Sequence, residues 1–101
     1  MNTANLQLEG LLMALASMNN LLVSKGLVST EEVTSALNIA EQTILGDYRV
    51  DDLDPAQRDA IAFPIRLLRL AANGSSGREI QTFSALAKSV GQTKPSYNDQ
   101  Q

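Results

Sequence analysis

The 101-residue chain contains no cysteine and no histidine. Without cysteine there can be no disulfide, no zinc thiolate site and no thiol nucleophile. Without histidine the commonest general base and the commonest transition-metal ligand are gone as well. Any catalysis would have to rest on carboxylate, Lys, Ser/Thr or Tyr groups. No pair of carboxylates, Ser–Lys spacing or glycine-rich phosphate loop stands out among them. No catalytic residue, metal ligand or cofactor is therefore expected, and the enzyme class ranks below the alternatives.

Aromatics are nearly as scarce: Tyr48, Phe63, Phe83 and Tyr97 are the full set. The core must then come from Leu, Ile, Val, Met and Ala. Stretches of alternating β-branched residues are absent, which points to helix on helix rather than to a sheet. With 44% hydrophobic and 19% charged residues, the composition suits one small folded domain.

The net charge of −3 argues mildly against a dedicated nucleic-acid binder. Its distribution is uneven. Residues 1–57 hold eight acids and two bases, a balance of −6, and residues 58–101 hold three acids and six bases, a balance of +3. Such halves can attract each other within the fold or orient a partner. The apolar run Leu11-Leu12-Met13-Ala14-Leu15-Ala16 lacks a preceding Lys or Arg and is interrupted upstream by Glu9 and Gly10, so it does not read as a signal peptide. No stretch is expected to span a membrane, and the cytoplasm is the expected compartment.

Helix punctuation divides the chain into four. The predicted helices cover about 3–25, 30–45, 55–73 and 77–90, within a domain of residues 1–91 followed by a polar, flexible tail at 92–101. Gly26 suits a helix C-terminus. Ser29 with Glu32 has capping-box spacing, and so has Ser76 with Glu79. Asp54-Pro55 reads as N-cap and first helical residue. Gly46, Gly74 and Gly91 are read as stops. The expected architecture is all-α, like a four-helix bundle, with the first two helices antiparallel neighbours. The third helix should be kinked or broken near Pro64. It is apolar on two sides, Ile61, Ile65, Leu68 and Ala72 on one and Ala60, Phe63, Leu67 and Leu70 on the other, which marks it as the hub. On the second helix Val33, Ala36, Leu37, Ala40 and Ile44 should face the core, leaving Glu41 among the residues left to water.

The first helix is the most informative. Leu8, Leu11, Leu15, Met18 and Leu22 recur at spacings of three and four, as on a coiled-coil seam, with Leu12 and Val23 widening it. Leu6, Met13, Ala14 and Leu21 lie elsewhere on the same helix, whose only charges are Glu9 and Lys25. A helix with so little polar surface needs a cover, and a second copy of the chain is favoured over burial within one subunit. Asn19, beside the seam, is expected to be a rim or locally bonded residue.

Three further features invite function. Arg58, Arg66 and Arg69 project from one sector of the third helix and could hold an anion or a partner's carboxylates; pairing with the acidic connector Asp47, Asp51, Asp52 and Asp54 is the plainer reading. That connector fails as a calcium loop, because Arg49 and Asp52 occupy positions that need a ligand and a glycine. The segment Phe83–Tyr97, with Ala87 and Gly91 four apart, resembles the start of a helix-turn-helix DNA-binding unit. Too little chain follows Pro95 to build a recognition helix.

Taken with Ala4–Leu12 and Phe63–Leu70, the Phe83–Pro95 segment makes the chain resemble small uncharacterised bacterial all-helical proteins of unassigned function. The resemblance implies the fold and carries no activity. The expected role is thus a self-associating helical interaction or adaptor module, dimeric through its first helix, with another protein as a conceivable further partner. A nucleic-acid-associated regulator using residues 83–98 is the alternative, and an enzyme with an unrecognised site comes third.

Overall fold

In the computed structural model, residues 2–75 and 80–93 are described, and they contain helices and no strand. The elements are α1 (Thr3–Ser24), α2 (Thr30–Leu45), α3 (Tyr48–Asp51), α4 (Pro55–Ser75) and α5 (Phe83–Thr93). The all-α expectation holds, with one helical turn, α3, inside the acidic connector.

Side chains set most of the boundaries. The Asn5 amide donates to Asn2 Oδ1 at 2.8 Å and starts α1. At the other end Gly26 adopts a φ of +74°, and the Leu27 amide reaches back to the Leu22 carbonyl at 3.0 Å. This is the left-handed closure that the glycine makes inexpensive. At α2 the expected capping box is present: Glu32 N–H donates to Ser29 Oγ at 3.0 Å, and Ser29 N–H donates to Glu32 Oε1 at 2.8 Å. Asp54 and Gln57 make the same reciprocal exchange ahead of α4.

Several boundaries differ from expectation. Helix α4 runs on through Pro64 as one element, so of the two expected alternatives the break does not occur, and it passes Gly74 to end at Ser75. Helix α5 passes Gly91 and takes in Gln92 and Thr93, which the expected tail had claimed. Among the described glycines Gly26 is the one with positive φ, so Gly74 and Gly91 do not supply that kind of stop. The start of α5 also lies later than residue 77. Ile80 to Thr82 are non-helical, and the Ala85 amide donates to Thr82 Oγ1 at 3.2 Å, so Thr82 is the cap. The other candidate cap, Ser76 with Glu79, lies outside the described residues.

Helix α4 is the hub. It packs against α1, α2 and α5, whereas α1 and α2 pack chiefly on it rather than on each other. The expected α1–α2 pairing is replaced by two separate dockings on α4. Leu12 and Ala16 of α1, Leu67, Leu68 and Ala71 of α4, and Leu86 and Val90 of α5 form the buried cluster. Phe63 and Phe83 meet edge to face beside it, with centroids 6.2 Å apart. The core is thin: the large side chains that are fully buried are Leu12, Leu67 and Leu86, and α2 buries no residue at all.

Candidate functional site

The polypeptide presents two candidate surfaces, and the structure treats them differently. The first is the outer side of α1. At roughly 100° per residue, the line through Leu12 and Ala16 turns toward α4, and the centre of the seam lies roughly 100° around the helix from it. Leu8, Leu11, Leu15, Met18 and Leu22 are all exposed, Leu11 to 56% and Met18 to 61%. Leu6 and Leu21 are exposed beside them, while Met13 packs partly against the core and Asn19 is half-buried. The seam residues therefore share one face, and among the described residues nothing covers that face. Such a continuous apolar strip exceeds the scattered leucines that any monomer exposes.

The same helix is long and apolar enough to cross a membrane by length and composition. That corrects the expectation that no stretch would reach this length. Core helices and signal sequences pass the same test, however, so the property alone assigns no location.

The second surface is the arginine sector of α4, and here the guanidiniums are already engaged. Arg58 donates to the Val50 carbonyl at 3.0 Å, to Asp51 at 3.1 Å and to the Leu45 carbonyl at 3.3 Å, closing the C-terminal end of α2. Arg66 bridges Glu41 at 2.8 Å and Asp59 at 3.0 Å. Arg69 pairs with the other oxygen of Glu41 at 2.6 Å and with Asn38 at 2.9 Å. One carboxylate thus holds two arginines. Burial alone would raise the Glu41 pKa, but the hydrogen bonds and charges of Arg69 and Arg66 outweigh it and hold the carboxyl below its ordinary range. Arg66 is likewise partly desolvated, yet Glu41 and Asp59 keep it above the usual guanidinium value. Thr34 adds a hydrogen bond to Asn73 at 3.0 Å.

This network ties α2 to α4 beside the apolar contact of Leu37 with the core, and it is the contact that residue patterns missed. Glu41 was expected in water, yet its side chain is only 16% exposed. Its partners lie 25 and 28 positions away, so no local spacing could have shown them. The acidic connector contributes one partner, Asp51, while Asp47 closes on its own neighbour Arg49. Among the described residues no acidic cluster could hold a metal ion. Helix α5 continues through Gly91, so the turn of a helix-turn-helix is not at that glycine, and the would-be recognition segment lies outside the described residues.

Beside the N-terminal half of α1 an apolar cleft of about 320 Å³ opens, lined by Asn5, Leu8, Glu9, Ala60, Phe63 and Phe83. Leu8 belongs both to this cleft and to the seam. A neighbouring hollow of about 450 Å³ continues past Ala60 and Phe63 toward Val90. Comparison with protein-family models, with curated proteins and with solved structures finds no match to the chain.

Proposed function

We propose that the chain is a non-enzymatic helical interaction module that pairs with a second copy of itself through the outer face of α1. The observation that carries this reading is the seam Leu8, Leu11, Leu15, Met18 and Leu22, exposed and spaced as knobs-into-holes packing requires. The thin core supports it. A chain of this size whose described residues include three large, fully buried side chains gains much from covering a further apolar strip. The arginine sector plays a structural part here, since its donors already serve α2 and α3. The cytoplasm is the compartment this reading assigns, because a seam covered by a second copy has no need of lipid.

Light scattering at micromolar concentration is expected to give the mass of two chains. Leu15 is partly exposed on the seam and outside the buried cluster, so Leu15→Asp should give a single-chain mass with unchanged helical circular dichroism. A single-chain mass for the unaltered protein refutes the reading. So does partition of the unaltered protein into phosphatidylglycerol-containing vesicles as a monomer, since lipid would then be what covers α1.

A further inference from the structure

The cleft of about 320 Å³ beside the N-terminal half of α1 has a chemistry of its own. Its volume lies at the lower end of the range that small-molecule sites occupy, about 300–1,000 Å³. The chain has two phenylalanines, and both line this cleft, Phe63 from α4 and Phe83 from α5. Their rings meet edge to face at 68°, and each stays only partly covered. Leu8 and Ala60 complete the apolar wall, and Asn5 and Glu9 supply the polar groups. The cleft needs Leu8 only as a wall, so it exists in the single chain.

Charge sets the class of occupant. Glu9 is the only charged residue within α1, and it is half-buried at the cleft. Among the described residues it makes no ion pair, and no Lys or Arg lines the cleft. Arg66, in the neighbouring hollow, is already held by Glu41 and Asp59. A neutral apolar molecule filling the cleft would strip water from the Glu9 carboxylate and return nothing for it. An anion would add repulsion. An ammonium beside an apolar body replaces the lost water with a charge-assisted hydrogen bond, and the faces of phenylalanine rings attract the same cation. The side-chain oxygen of Asn5 offers a second acceptor on the same rim.

We propose that this cleft binds a small organic ammonium compound, with the ammonium on Glu9 and an aromatic or short aliphatic body against Phe63 and Phe83. Ala60 lines both the cleft and the hollow that continues toward Val90. Its small side chain keeps the two connected, which leaves room for substituents on the far end of the body.

Titration of the isotopically labelled chain with phenethylammonium, followed by amide chemical shifts, tests the site. The expected result is saturable binding in the millimolar range, with the largest shifts at Glu9, Ala60, Phe63 and Phe83. Phenethyl alcohol has the same ring and arm without the charge and should bind about fivefold more weakly. Glu9→Gln should weaken phenethylammonium about fivefold as well, the loss expected when a partly exposed carboxylate gives up a charge-assisted bond. Glu31→Gln, on the exposed first turn of α2, should leave the affinity unchanged, which separates the cleft from general attraction of a cation to an acidic chain. Ala60→Leu, at an exposed helical position, should abolish binding by filling the cleft while the helical circular dichroism stays the same. Equal affinity for the alcohol and the ammonium, or an unaltered affinity in Glu9→Gln, overturns the class of ligand. Shifts confined to the outer face of α1, or unaltered binding in Ala60→Leu, overturn the location. Absence of saturable binding overturns both.

Discussion

Glu41→Gln is expected to destabilise the protein by about 1–3 kcal/mol, because it removes a partly buried charge that two guanidiniums share. The carboxylate is 16% exposed, Arg66 is 20% exposed and Arg69 is 25% exposed, so solvent screens the group only in part. Unit charges about 4 Å apart attract by about 4 kcal/mol at the effective dielectric of a protein surface. Three things reduce the net effect well below that sum. Glu41 regains its hydration on unfolding, Arg66 keeps Asp59, and Arg69 keeps Asn38. The remaining glutamine oxygen still accepts one neutral hydrogen bond.

Urea titration followed by circular dichroism at fixed chain concentration would measure the loss as a lower midpoint with an unchanged slope. Because α2 buries no residue of its own, amide exchange should accelerate most in α2. Glu31, exposed in the first turn of α2, supplies the control. If Glu41→Gln shifts stability by no more than Glu31→Gln, within about 0.5 kcal/mol, the network does not hold α2 and the reasoning fails.

Acidity should act on the same carboxylate. Its folded pKa lies below the unfolded value near 4.5, so its contribution is fully present above that value and is lost as the pH falls through the lower folded value. An acid titration of stability should therefore be shallower in Glu41→Gln than in the unaltered chain, and identical slopes would count against the assignment. Leu67→Ala, at a fully buried position in the hub, should cost about 2–5 kcal/mol by denaturant titration. Leu11→Ala should leave the monomer's fold intact and weaken association instead, as seen by light scattering. Gly26→Ala places a Cβ on a residue with φ of +74° and open space around it, so backbone strain alone should cost about 1–2 kcal/mol. Ser29→Ala removes half of the α2 capping box and should cost about 1 kcal/mol, read as a lower denaturation midpoint.

Local chemistry made much of this protein legible before folding was considered. Serine and glutamate three apart, aspartate before proline, and a glycine after an apolar run state where a helix begins or ends through bonds made within a few residues. The same is true of the seam, because helical geometry alone places Leu8, Leu11, Leu15, Met18 and Leu22 on one side. Residue patterns misled where a later cap or an uninterrupted helix stands at the expected boundary. Thr82 rather than an upstream serine caps the last described helix, and Gly74 and Gly91 remain helical instead of turning.

Partners distant in the chain were beyond any pattern. Glu41 meets Arg66 and Arg69 only because α2 docks on α4, and its surroundings on α2 resemble those of any solvated glutamate. The third helix announced itself as the hub through its two apolar sides, but tertiary packing decided that α1 and α2 would dock on it separately. It also decided which side of α1 would face inward. Leu12 and Ala16 satisfy α4, so the remaining leucines keep a heptad face turned outward, uncovered by any described residue. The residue composition of α1 alone gives it more apolar surface than one contact can bury. The tertiary structure decided which part was left over, because the docking of α4 uses up one side of a helix and no more.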